Sequence, residues 1–307
     1  MQIPLLIQYL LKRVFLQYNP TKKSFNQPNI QKIHRNTNIR YMYFDRTNYI
    51  NSPSPIEGEL KILFRQNAPL IIFEIGACEG EDSIKYSRLF PNSKIFSFEP
   101  LPENIKLIHN NFLRYGIKNA SCYNKALSSK NGTAEFYVSS GRPEGAIESD
   151  WDYGNKSSSL LPPANHMKMV NFIQFNRKIE IETITLKSFC EANTISAIDF
   201  IHMDVQGAEM LVLEGAGDFL SSIKAIWLEV SKIDFYKNQP LVDDIKKFMK
   251  ENKFVLIKDE VNGSQGDHLY ISKKFFSEYK ILLKIRLMLG QSLLRRILRK
   301  FSFSHAQ

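Results

Sequence analysis

The sequence predicts an α/β domain on a doubly wound, mostly parallel seven-stranded sheet, with an antiparallel edge strand and helical N- and C-terminal extensions. Three observations carry that expectation. Between residues 70 and 252, short apolar runs alternate with longer amphipathic segments, which is the pattern of parallel βαβ units. Two further runs, 254–258 and 268–272, flank Asn262-Gly263 and read as a closing hairpin, so one strand at the edge turns antiparallel. The 307 residues are 43% hydrophobic and 23% charged, enough apolar material for a packed core.

The segments follow in order. Asn51-Ser-Pro-Ser-Pro55 reads as a linker that ends an N-terminal extension, 1–55. A buried strand at 70–75 leads to a helix at 81–90. A strand at 94–99 leads to a helix at 102–115, and 120–124 is the third strand. Runs at 133–138 and 179–183 add strand pattern, and 186–193 is helical. The strand at 197–204 precedes a helix at 208–213, and the strand at 225–230 precedes a helix at 242–252. Residues 139–178 break the alternation and read as a Ser/Pro/Gly-rich insertion, or lid. The domain proper is 56–272, with a tail at 273–307.

The formal net charge is +10, but it is unevenly placed. Residues 1–40 carry +7 and residues 273–307 carry +8, which leaves −5 for 41–272. A basic nucleic-acid-binding body is therefore excluded. The tail spaces Phe275, Tyr279, Leu282, Ile285, Leu289, Leu293 and Ile297 at helical intervals beside basic faces, which suits an anionic lipid surface. The stretch 3–18 is apolar but broken by Lys12 and Arg13, and lacks the order of a secretory signal. No run reaches the ~20 residues of a membrane span. Cys78, Cys122 and Cys190 show no pairing or zinc spacing, so a reducing, cytoplasmic setting is expected, peripheral to a membrane's inner face through the basic ends.

The chemistry lies at the strand ends. The first strand closes on Glu74-Ile75-Gly76-Ala77-Cys78-Glu79-Gly80, an ExGxxxG loop. Two glycines let the backbone turn and approach a ligand, but the middle glycine of a dinucleotide loop is missing. Glu74 would repel a phosphate and suits an amino group. The second strand ends in Glu99-Pro100, where a carboxylate can accept both hydroxyls of a ribose. Asn124-Lys125-Ala126 follows the third strand, where an adenine edge would lie. An acidic loop, a ribose carboxylate and no phosphate cradle together point to S-adenosylmethionine rather than NAD. His202-Met203-Asp204-Val205-Gln206-Gly207-Ala208-Glu209 ends the next strand, where ligands of open α/β sheets bind. Asp204 is the first candidate for a base, and His202 shares its strand face by the period of two. Glu209 opens the next helix, where an acid suits the dipole.

EIGACEG, FEP, NKALS, SSSL and MDVQGAE, in this order, resemble the FkbM-type family of class I S-adenosylmethionine-dependent methyltransferases over about residues 57–272. The family commonly has lysine where His202 stands and glutamate where Gln206 stands. The resemblance implies a Rossmann-like methyltransferase sheet and transfer of a methyl group to a hydroxyl, of a sugar in a glycan or glycolipid. It implies that Glu74, Gly76, Ala77 and Gly80 line the methionine end, Glu99 and Pro100 the ribose, and Asn124, Lys125 and Ala126 the adenine side. It also suggests that the Ser157–Ser159 region is a lid over the acceptor. His166, in the same insertion, is a third candidate base. His109 falls on a helix surface, and Glu229 and Asp267 fall near the acceptor mouth. No metal is assigned, because no companion acid cluster is visible after the strand at 225–230.

Two other readings compete. A scaffold that has kept the fold without activity is opposed by the intact Glu74, Gly76, Gly80 and Glu99 set. An NAD-dependent oxidoreductase would need glycine at position 78. Methylation of nucleic-acid bases is opposed by the absence of an N/D-P-P-Y/F turn after Asp204. The sequence sets no oligomeric state.

Overall fold

A computed structural model describes residues 46–142 and 154–278. The stretch 3–18 and the tail stripe beyond 278 lie outside those residues. The main sheet has seven strands. They are β1 (Ile71–Ile75), β2 (Lys94–Phe98), β3 (Ala120–Tyr123), β7 (Ile198–Met203), β8 (Ile223–Ser231), β9 (Phe254–Asp259) and β10 (Gln265–Ser272). Their spatial order is β3-β2-β1-β7-β8-β10-β9. β1 pairs in parallel with both β2 and β7, so the strand order reverses at the carboxyl end of β1. The antiparallel strand of the edge hairpin is β10, which pairs with β8 and β9.

The strand period of two separates two cores. Ile226, Leu228 and Val230 of β8 face one cluster with Phe73 and Ile75, while Ala225 and Trp227 face the other with Ile72. Helices α6 (Leu186–Ala192), α7 (Glu209–Ala216) and α8 (Val242–Glu251) contribute Phe189, Val212 and Ile245 to the first. Helices α2 (Glu57–Leu63) and α3 (Glu81–Leu89) contribute Leu60 and Tyr86 to the second. Fully burying such a side chain contributes roughly 1.5–3 kcal/mol, so the two clusters dominate the stability of the sheet.

Some expectations shift in space. The run read at 133–138 is β5 (Gly132–Ser140), and it does not join the main sheet. With β4 (Ala126–Leu127) and β6 (Gln174–Ile184) it makes a separate three-stranded sheet. The insertion is correspondingly shorter than read, since β5 and β6 enter it from both sides. Helix α4 (Pro102–Arg114) carries His109 on its exposed face.

Both ends of the domain also reach further than composition implies. Helix α1 (Arg46–Asn51) lies inside the predicted extension, yet Arg46 is buried in an ion pair with Glu79. At the other end Phe275 stacks on Phe64 at 5.6 Å, so the start of the tail packs on the body. Among the described residues no helix is long and apolar enough to cross a membrane.

Candidate active site

The loop after β1 is built around Gly76. Its φ is +86°, and a Cβ there would stand 1.8 Å from the main-chain oxygen of Asp204. Only glycine satisfies both conditions. The loop is tied across the sheet, with the Gly76 and Ala77 amides donating to the Phe98 carbonyl at 3.0 and 2.9 Å. The Asp204 amide donates to the Ile75 carbonyl at 2.9 Å, so the ends of β1, β2 and β7 form one floor. Gly80 also has positive φ, but a Cβ there would meet Phe112 at 3.0 Å and Ile108 at 3.3 Å. It packs against Phe112 and Ile108 under the loop and lines neither cavity described below.

The first cavity has an empty volume of about 530 Å³ and is lined by Gly76, Glu99, Pro100, Lys125, Ala126 and Asp204, among others. Glu99 accepts the Cys78 amide on one oxygen and the Leu101 amide on the other, both at 2.9 Å. The Asn104 side chain also bonds this carboxylate, and the lone pairs that remain can accept a ribose hydroxyl. Burial pushes the Glu99 carboxyl up to about 7, against the pull of those two amides. The Asn124 side chain is exposed and donates to the Glu99 and Pro100 carbonyls at 3.1 and 2.8 Å. It holds the end of β2 rather than facing the cavity. The roof comes from the insertion, where Asn155, Lys156, Ser158 and Leu160 cover the opening.

The second cavity, about 870 Å³, opens from the first and shares Gly76, Cys78, Lys156 and Asp204 with it. Its other walls include Glu74, Ala77, Glu81, Asp82, His202 and Tyr49. Glu74 and His202 are register partners on adjacent strands. Ser83 donates to Glu74, whose carboxyl burial raises well above its ordinary range, with Asp82 adding repulsion. Lys156 brings the opposite sign, with Nζ 3.2 Å from Glu81 and 3.5 Å from Cys78 Sγ. A pocket of mixed sign beside a cavity bordered by the Glu99 carboxylate suits a nucleoside that carries a zwitterionic tail.

Asp204 stands where the two cavities meet. Gln206 Nε2 donates to Asp204 Oδ1 at 2.7 Å and to Glu229 Oε2 at 3.1 Å. The single Tyr236 hydroxyl proton is shared between the Ser157 carbonyl at 2.7 Å and Gln206 Oε1 at 3.1 Å, and Ser159 Oγ donates to the Gln206 carbonyl at 2.7 Å. Gln206 thus joins β7, β8 and the insertion. Its position between two acids makes it a hub, a role its place in the motif did not reveal. Asp204 is exposed at the mouth, where the surrounding walls desolvate its carboxyl in part and raise it; Gln206 and His202 oppose the shift, and Asp82 adds to it. Glu229 is raised well above its ordinary range by burial and by Asp204 and Glu209, and Asp267, its register partner, is pushed up to about 7. His166, the third candidate base, is buried among Phe175, Phe235 and Tyr236 and lines neither cavity.

The absence of companion acids is also corrected. Ligand atoms of Glu74, Asp82 and His202, and separately of Asp204, Glu209 and Glu229, lie within 4.8 Å of one another. These carboxylates have protein donors: Ser83 for Glu74, Tyr49 for Asp82, and the Val205 and Gly207 amides for Glu209. They act first as anchors for loops. Sequence reasoning missed Tyr49, Asp82, Lys156 and Tyr236 in this site. Asp82 had a local signal, as an acid in the first turn of the helix after the glycine loop. The others arrive from distant segments and had none.

The model of the methyltransferase FkbM domain matches residues 74–256. The chain is 29% identical over 204 residues to the 2-O-methyltransferase NoeI of Sinorhizobium fredii (strain NBRC 101917 / NGR234), covering 66% of this chain and 80% of that protein. Among solved structures, it is similar to precorrin-6y C5,15-methyltransferase from Geobacter metallireducens GS-15. That likeness has 12% identity and a TM-score of 0.36, over 72% of this chain and 90% of the other. It is also similar to the N-terminal domain of EvdMO1 in the presence of SAH and D-fucose, with 11% identity and a TM-score of 0.39, over 89% and 97%. The glycine floor, the carboxylate at the end of β2 and the matched span agree: the chain belongs to the methyltransferase FkbM domain family and is an S-adenosylmethionine-dependent methyltransferase.

Proposed function

We propose that this O-methyltransferase acts on a sugar hydroxyl, in a glycan or glycolipid, and that Asp204 removes the hydroxyl proton. The carrying observation is the place of Asp204, which lines both cavities and is linked through Gln206 to Glu229. The name of the Sinorhizobium relative records transfer to a 2-oxygen, which supports an oxygen acceptor. A mouth of carboxylates, an amide and a phenol offers the many hydrogen-bond partners that a polyol needs.

When bound, S-adenosylmethionine supplies an electrophilic methyl on its sulfonium. Glu99 and Pro100 would hold its ribose, Lys125 and Ala126 would border its base, and Gly76 and Ala77 would let the backbone approach it. Glu74 would take the amino end, with Gly80 and Asn124 supporting the cradle from outside. Asp204 orients the acceptor oxygen and takes its proton as the new bond forms, which contributes typically 10²–10⁴-fold. His202 stands behind Asp204, and the insertion shuts water out. Mass spectrometry of glycans and lipids from cells with and without the gene tests this reading. A 14-dalton loss without the gene supports it; identical profiles in both fractions, together with no binding of S-adenosylhomocysteine, would remove it.

The basic ends support docking on an anionic membrane that carries the acceptor. Because Phe275 packs on Phe64, the deletion to make is 279–307. It should abolish binding to anionic liposomes and leave cofactor affinity intact; unchanged liposome binding counts against the membrane role.

A further inference from the structure

Helix α1 precedes the matched span, 74–256, yet one of its side chains faces into the site. Tyr49 lines the second cavity and donates from its hydroxyl to Asp82 Oδ2 at 2.8 Å. Lys85 Nζ lies 3.2 Å from the Tyr49 ring centroid and 3.4 Å from Asp82 Oδ1, so ring, carboxylate and ammonium pack as one unit. The carboxylate then stands beside His202, with one ligand atom from each of Glu74, Asp82 and His202 within 4.8 Å of the others. His202 is held from the other side by the Tyr86 ring, edge-on at 5.7 Å, and its Nδ1 is buried without a protein partner. Burial alone would raise the Asp82 carboxyl; His202, Lys85 and the Tyr49 hydroxyl more than offset that and leave it lowered.

We propose that helix α1 is part of the cofactor site: Tyr49 closes the pocket for the amino-acid end and, through Asp82, positions His202 toward it. This rests on the S-adenosylmethionine reading of the first cavity. Glu99 lines the first cavity and Gly76 lines both, so a nucleoside seated with its ribose on Glu99 would reach the second cavity past Gly76. What lies beyond sulfur there is an α-amino acid. Glu74 and Asp82 meet its ammonium, and Lys156 and His202 meet its carboxylate. Tyr49 is a positioning residue, acting through Asp82. Its phenol anchors the carboxylate in the geometry that aims the imidazole.

The test is calorimetry on the full chain with two ligands. S-adenosylhomocysteine has the amino-acid end; 5′-methylthioadenosine has the same nucleoside and sulfur without it. Wild-type protein should bind the first more tightly. Tyr49→Phe keeps the ring over Lys85 and removes only the hydroxyl. It should weaken S-adenosylhomocysteine about three- to tenfold and leave 5′-methylthioadenosine within twofold. Asp82→Asn should widen the same selective loss. The ratio of the two affinities in one preparation does not depend on the folded fraction, so a variant that folds poorly still reports. Equal losses for both ligands, or no loss for either, overturn the proposal. If wild-type protein binds neither ligand, the cofactor reading itself falls. If it binds both equally, only the amino-acid pocket falls.

Discussion

The main-chain oxygen of Asp204 lies where a side chain on Gly76 would begin, 1.8 Å from the position of its Cβ. The proposed base and the glycine loop are thus one packed unit across the β1–β7 switch point. Gly76→Ala must push β1 and β7 apart or abandon the left-handed turn, at a cost of about 1–3 kcal/mol for the backbone conformation alone. We expect a lower melting temperature and at least a tenfold loss of S-adenosylhomocysteine affinity. Calorimetry measures both, and an unchanged affinity would contradict the cradle.

Asp204→Asn should reduce kcat by about 10²–10⁴-fold with little change in cofactor affinity. Only the ionised carboxylate is a base, so kcat should fall as pH drops through its raised pKa. Gln206 donates to Asp204 and holds that pKa down. Gln206→Ala should therefore move the acidic limb of the pH–rate profile to higher pH. A limb that stays in place would separate Gln206 from the base.

Cofactor binding should itself be pH-dependent. The Glu99 carboxyl, pushed up to about 7, is partly protonated near neutrality, whereas a ribose diol donates best to the ionised form. Affinity for S-adenosylhomocysteine should rise with pH through about 7, with a proton released on binding. Titrations in buffers of different ionisation enthalpy detect that proton. Glu99→Gln should bind about tenfold more weakly and release none.

The ligand-free fold should be less stable at pH 8 than at pH 5. Glu209 is pushed from an ordinary 4.5 up to about 7, chiefly by burial. The folded state holds this proton after the unfolded chain has released it. The contribution is fully present below 4.5 and is lost as pH rises through about 7, a swing of about 3 kcal/mol. Glu209→Gln should flatten the dependence of melting temperature on pH over this window.

Arg46 and Glu79 form an ion pair at 5% and 0% exposure. Arg46→Met leaves a buried carboxylate without this partner and should cost about 3–5 kcal/mol in urea unfolding. Adding Glu79→Gln should recover part of the loss. No recovery would mean that helix α1 docks through other contacts.

Much of the fold was legible because its signals are local. Strand runs, the hairpin at Asn262-Gly263 and the glycine loop each lie within a few consecutive residues. Glu99 and Asp204 were legible as strand-end carboxylates, and both line the cavities. Asn124 and Gly80 belonged to the same motifs, yet the Asn124 side chain turns to the backbone and Gly80 packs under Ile108 and Phe112. A motif specifies which residues are near a ligand, whereas rotamer and packing decide which of them face it. His166 had the right chemistry, but three aromatic rings bury it away from the cleft.

By itself the sequence determined the alternation of elements, the acidic body between basic ends, and the carboxylates at the strand ends. Period, capping and charge are properties of neighbouring residues. The tertiary structure alone decided that β5 leaves the main sheet, that Gln206 joins Asp204 to Glu229, and that Tyr49 reaches Asp82 and lines one cavity with His202. Those outcomes depend on cross-strand register and on helix docking between residues up to 153 positions apart, from Tyr49 to His202. Such contacts form only when both partners have folded, and no local spacing encodes them.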